Sequence, residues 1–198
     1  MLLWRKFCGM TNPFALLGVP RKLDLKGADI DRLLLDASQI YHPDAGGNQN
    51  LFLEIRSAGE ILKSPEKRVR AAIECEGFSF NRRGEIPAEV MGSFSNVASV
   101  LQDIDSFVSE RSNALSSLGK AVLDIRVPKL KADLEGGISN LNELKKAMIA
   151  RFKIFDERGW SECEVEMGEV ARGLIFLTKW LAQLKEANGK LFEALLGG

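Results

Sequence analysis

The stretch Ile40-Tyr41-His42-Pro43-Asp44-Ala45-Gly46-Gly47-Asn48 decides how the rest of the chain is read. Before it, Ile30, Leu33, Leu34, Ala37 and Ile40 or Tyr41 recur every three or four residues, the spacing of a helix with one apolar stripe. The pattern predicts a helix from about Lys26 to Tyr41. Pro43 ends it, because proline disfavours helical backbone in the residue before it and donates no N–H. After the stretch, Leu51, Phe52, Ile55, Ala58, Ile61 and Leu62 form a second stripe, which Asn48 is placed to cap and Ser64-Pro65 breaks. Two amphipathic helices joined by so short a loop pack as an antiparallel hairpin, with His42, Pro43 and Asp44 at its tip. Leu33, Leu34, Ala37, Phe52, Ile55 and Ile61 are expected to hold it together.

Working outward, Asn12-Pro13-Phe14-Ala15-Leu16-Leu17-Gly18 reads as one helical turn: asparagine caps, proline suits the first helical position, and glycine with Pro20 stops it. A fourth short helix starts at Pro65 and ends at Gly77. Residues 78–86 carry turn residues and no stripe, which predicts a linker between an N-terminal module at 12–77 and a C-terminal one at 87–196. The second module reads as long helices over about 87–110, 112–157 (interrupted at Pro128 and Gly136-Gly137) and 161–196. Short connections between them imply antiparallel neighbours, hence a three-helix bundle or a coiled hairpin, of which the bundle is the expectation. The fold class is all-α.

Composition narrows the functional classes. The 198 residues are 45% hydrophobic and 27% charged, an ordinary globular balance long enough for one large domain or two small ones. Lys+Arg 27 against Asp+Glu 27 leaves no overall basic field, and no apolar run reaches the length of a membrane span, so neither a nucleic-acid nor a membrane partner is expected. Cys8, Cys75 and Cys163 are far apart and form no C-x-x-C pair, which fits a reducing compartment; the expected location is the cytoplasm. Arg5 and Lys6, with no acid before Asp24, leave room for a short organelle presequence.

His42 is the chain's only histidine. An acid–base pair with Asp44 would need both side chains to converge on a substrate, and a proline between them at an exposed tip opposes that. One imidazole with scattered carboxylates leaves a metal shell unfilled. Neither an enzyme nor a cofactor is expected. Without their surroundings the three residues suit an ordinary turn, with Pro as a stop, Asp for a local hydrogen bond and Gly for positive φ.

Their surroundings are more specific. "NPFALLGVP", a helix ending in "YHPD", and "FLEIRSAGEILKSPEKR" together resemble a J-domain, the module that activates DnaK-type heat-shock ATPases. The resemblance runs from Asn12 to about Gly77. It implies that His42-Pro43-Asp44 docks on the chaperone ATPase, with Lys26 and Arg32 on the docking helix, and that the module transmits a contact and catalyses nothing. "LGVPRKLDLKGADIDRLL", "SPEKRVRAAIECEGF", "IPAEVMGSFSNVASVLQDID" and "LIFLTKWLAQL" are similar to parts of the HscB-type co-chaperones of iron–sulphur cluster assembly. That similarity implies a C-terminal bundle that binds the cluster scaffold protein, here through Val90, Met91, Phe94 and Val97. On the residues alone, these four read first as the bundle's core stripe and second as a contact face.

The chain departs from both patterns. The helix before the tripeptide has Asp29, Asp31 and Asp36 beside Arg32, while Gln39, Ile40 and Ala45 stand at often-basic positions, so weaker or partner-restricted docking is expected. Gly92, Ser93, Ser95, Asn96, Ala98 and Ser99 stand where the family shows several acids. Lys63, Lys67, Arg68 and Arg70 read as a solvated helix face or as a contact for an acidic partner. Trp160, and Trp180 with Phe176, read as core anchors.

Overall fold

The computed structural model describes residues 12–42 and 47–196; His42 lies inside that range, and Pro43, Asp44 and Ala45 lie outside it. Helix accounts for 81% of the described residues and no strand occurs among them, so the fold is all-α. The chain divides at Glu85/Ile86 into two compact units. The first also takes in Met148–Leu174, and the second comprises Ile86–Ala147 with the residues from Ile175 onward.

In the first unit, α1 (Pro13–Leu16) is capped by Asn12, whose Oδ1 accepts from the N–H groups of Phe14 at 3.0 Å and Ala15 at 3.3 Å. Helices α2 (Gly27–Tyr41) and α3 (Gln49–Lys63) form the hairpin, and α3 packs on α1, α2 and α4 (Pro65–Cys75). The hairpin closes tightly because Gly59 has no side chain: a Cβ there would stand 2.5 Å from the methyls of Leu34. Its deepest residues are Ile30, Ile55, Ala58, Gly59 and Leu62, while Leu33, Leu34, Ala37, Phe52 and Ile61 are half-buried. Ile55 alone of the expected six is fully interior.

What fills the first unit comes from far along the chain. Phe152 and Phe155, near the end of α8 (Val127–Arg158), and Met167, Val170 and Leu174, in α9 (Glu164–Leu196), are all buried. Between these helices the chain turns at Gly159 (φ 94°) into a short 3₁₀ segment, Trp160–Cys163. Trp160 is 7% exposed and its ring stands 5.4 Å from that of Phe14. The Asp156 carboxylate accepts hydrogen bonds from the N–H groups of Leu23 (2.8 and 3.0 Å) and Asp24 (2.9 Å) and from Trp160 Nε1 (2.9 Å). Arg172, also buried, donates to the carbonyls of Glu85 at 2.5 Å and Asn81 at 3.1 Å. The first unit is therefore the α1–α4 module plus a distant helical segment.

The second unit is a three-helix bundle. Val97, Val100, Ile104 and Phe107 of α6 (Phe94–Asn113) are buried along with Leu130, Leu134 and Leu141 of α8 and Leu177, Leu184 and Leu191 of α9. Gly92 and Ser93 divide the helix expected over 87–110 into a short α5 (Ala88–Met91) and α6. The helix expected over 112–157 begins instead as a separate α7 (Ser117–Asp124), and α8 then runs unbroken through Pro128 and Gly136-Gly137. Pro128 occupies the first turn of α8, where its missing N–H has no helical partner to lose. The two glycines cost about 1 kcal/mol each in a helix interior. Burial of Leu130, Leu134 and Leu141, at about 1.5–3 kcal/mol apiece, exceeds that cost. Among the described residues, no helix is long and apolar enough to cross a membrane.

Candidate functional site

The tip of the α2–α3 hairpin is built by three local devices. His42 is the C-cap of α2, extended at φ −61° and ψ 135°, and its N–H donates to the Ser38 carbonyl at 3.1 Å. At the start of the return stretch of chain, the Gly47 N–H donates to the His42 carbonyl at 3.1 Å. A side chain at Gly47 would overlap the backbone of Tyr41, so the loop's return admits only glycine. Asn48 then caps α3, its Oδ1 accepting from Asn50 N–H at 3.0 Å and Leu51 N–H at 3.2 Å.

The half-buried His42 ring stands edge-on to Phe52 of α3, centroids 5.2 Å apart at 71°, and the Arg56 guanidinium lies over the same Phe52 ring at 5.9 Å. These contacts orient the imidazole at the mouth of the loop. Lys26, the N-cap of α2, and Arg32 are both exposed. So are Asp29, Asp31, Asp36, Gln39 and Ile40, and Asp31 pairs with Lys63 of α3. The outer face of α2 is thus mixed in charge and partly apolar, with Leu35 and Ile40 well exposed. Among the described residues, no three His, Cys, Asp or Glu side chains come close enough to share a metal ion.

The basic run after α3 is not a face of free cations. Arg68 is 5% exposed and donates through Nε to the Leu62 carbonyl (2.6 Å) and through Nη1 to those of Leu23 (2.6 Å) and Leu25 (3.1 Å). Burial lowers the pKa of this guanidinium, and the carboxylates of Asp24 and Asp156 oppose the shift. Arg70 lies over the Phe80 ring at 5.1 Å. Arg68 is thereby an interior anchor for the chain entering α2, a role that no local pattern in the sequence announces.

In the second unit, the four residues of the expected client face separate. Val90 (0% exposed) and Val97 (3%) point into the bundle, whereas Met91 (46%) and Phe94 (53%) are exposed. Phe94 leans on Trp180 at 6.0 Å and Trp180 on Phe176 at 5.7 Å, so Trp180, itself 6% exposed, is the floor beneath the exposed ring. Ser93 is buried and accepts from Asn140 Nδ2 at 3.2 Å. Beside this face an open groove of about 520 Å³ runs between α6 and α8, lined by residues including Ser95, Asn96, Ser99, Asp103 and Asp133.

The fold these elements make is shared with a chaperone. The solved structure of chaperone HscB from Vibrio cholerae superposes with a TM-score of 0.63, covering 91% of this chain and 99% of that one at 16% identity. At that identity the likeness speaks for the fold. No protein-family model matches the chain, and no curated protein matches it in sequence.

Proposed function

We propose that this chain is an HscB-type J-domain co-chaperone. Its N-terminal module, residues 12–77, docks on a DnaK/HscA-type ATPase chaperone through His42, Pro43 and Asp44, with Lys26 and Arg32 on the flanking helix, and stimulates ATP hydrolysis. The bundle carries the client, the iron–sulphur scaffold protein, on Met91 and Phe94, with Val90 and Val97 supporting them from within. The observation that carries the reading is the backbone bond between Gly47 and His42, at the end of a hairpin within an HscB-like fold.

Mechanistically, such a module acts by differential contact: it shifts the chaperone only as far as it binds the hydrolysis-competent state better than the other. The His42–Phe52 packing limits the conformational freedom that the imidazole loses on docking, which favours affinity. Asp29, Asp31 and Asp36 make the α2 face a poor match for a strongly acidic partner surface, which favours a dedicated chaperone over a general one.

The test is single-turnover ATP hydrolysis by the host's DnaK/HscA-type chaperones, with the wild type and His42→Gln, each with and without the scaffold protein. Stimulation is expected from the wild type, is lost in His42→Gln, and rises further with scaffold. The variant's helical circular dichroism is expected to be unchanged, because losing an edge-on ring contact costs about 0.5–1.5 kcal/mol. Stimulation without scaffold synergy would assign a different client. An absence of stimulation by the wild type would refute the co-chaperone reading.

A further inference from the structure

Helix α2 brings no cation of its own to the tip of the hairpin. Asp36 is the only charged residue in its last two turns, and Gln39, Ile40 and Ala45 beside the tripeptide are all uncharged. Arg32 stands ten residues back from His42, about 15 Å along the helix. Helix α3 supplies a cation from across the hairpin instead. Arg56, one turn beyond Phe52, lays its guanidinium over the Phe52 ring at 5.9 Å, and His42 meets the same ring at 5.2 Å. The two contacts bring the guanidinium within about 11 Å of the imidazole. Phe52 is half-buried, so the hairpin's own packing fixes the platform on which both groups rest. Arg56 itself is exposed, and among the described residues no carboxylate pairs with it, that of Glu60 one turn further along α3 included.

We propose that Arg56 is a further chaperone-binding residue, whose guanidinium takes a carboxylate of the DnaK/HscA-type ATPase beside the docked His42. The inference rests on the co-chaperone reading and names the partner chemistry at that same tip. A guanidinium that stacks by its face keeps its N–H groups at the edge, where they match a carboxylate with two parallel hydrogen bonds. Held on the ring, it also loses less freedom on docking than a loose side chain does. One oriented cation gives a strong local contact and little long-range steering, which suits a hairpin that exposes Asp29, Asp31 and Asp36.

The experiment is single-turnover ATP hydrolysis by the host's DnaK/HscA-type chaperones, titrated with the full chain so that half-saturating concentration and saturating rate are read separately. Arg56→Gln is expected to raise the half-saturating concentration roughly ten- to hundred-fold, the range for a hydrogen bond to a charged group, and to leave the saturating rate unchanged. His42→Gln loses the saturating rate itself. Arg56→Lys, which keeps the charge without the planar fork, falls between wild type and Arg56→Gln. Arg82→Gln, the same charge change at another exposed site, matches the wild type. The gap between wild type and Arg56→Gln narrows as salt approaches about 1 M, where charges are screened within about 3 Å; a packing role would leave it constant. Circular dichroism is unchanged in every variant, since Arg56 and Arg82 are exposed and the His42 contact is small. An unchanged half-saturating concentration in Arg56→Gln, or a gap that salt does not narrow, overturns this proposal and leaves the co-chaperone reading standing. No stimulation by the wild type overturns both.

Discussion

Replacing Asp156 with alanine tests the assembly of the first unit. Its carboxylate serves three donors, the N–H groups of Leu23 and Asp24 and the indole N–H of Trp160. Asp24 is exposed, so its N–H can turn to water at little cost. Leu23 is 0% exposed and Trp160 7%, so their donors would be stranded at about 1–3 kcal/mol each. Asp156 also opposes the desolvation of Arg68, which adds to the loss. The expected cost is about 3 kcal/mol, equivalent to a fall of roughly 6–12 °C in Tm for a chain of this size. Far-ultraviolet circular dichroism on heating, with a parallel urea titration, measures it. Asp156→Asn keeps one acceptor oxygen and should lose about half as much, and Trp160→Phe, which removes one donor, about 1 kcal/mol. An alanine variant melting within about 2 °C of the wild type would show that these bonds contribute no net stability.

Other substitutions probe separate joints. Gly59→Ala places a methyl against Leu34 and is expected to cost about 1–3 kcal/mol in urea, as overpacking does, with Gly59→Val worse. Arg68→Met strands the carbonyls of Leu62, Leu23 and Leu25 and should destabilise by about 3 kcal/mol, whereas Lys67→Met on the exposed side should be near neutral. The hydrogen bond from Arg111 holds the Asp124 carboxyl below its ordinary pKa. Its stabilisation is therefore complete above about pH 4 and is lost as pH falls through the lower folded value, so Asp124→Asn should flatten the acid side of the stability profile.

Features written locally in the sequence were legible. Asn12 and Asn48 cap the helices they precede, Pro65 opens α4, and Gly77 turns the chain out of it at φ 84°. The hairpin followed from two stripes and a proline between them. Breaks were harder to read: Pro128 sits harmlessly in a first turn, and buried leucines on both sides carry α8 across Gly136-Gly137. Period alone also ranks depth poorly, because Val90 and Met91 are neighbours in one stripe and yet one is buried and the other exposed. The contact of Asp156 with Leu23 spans 133 residues, and no local composition marks it. At the candidate site, the residue types at the tip were evident, whereas the closing bond to Gly47 and the ring beneath His42 required coordinates.

The Asp156 joint also has a consequence in time. A ribosome delivers the hairpin and α4 well before Met148–Leu174, the segment that completes their unit, which is finished about 90 residues after Glu85. At 5–20 residues per second, that interval is roughly 5–20 s. For most of it the nascent module lacks the ring that covers Phe14 and the carboxylate that Leu23 and Asp24 bind. Synthesis rate between Ile86 and Leu174 therefore sets how long an unfinished core stays open to proteases and to neighbouring chains.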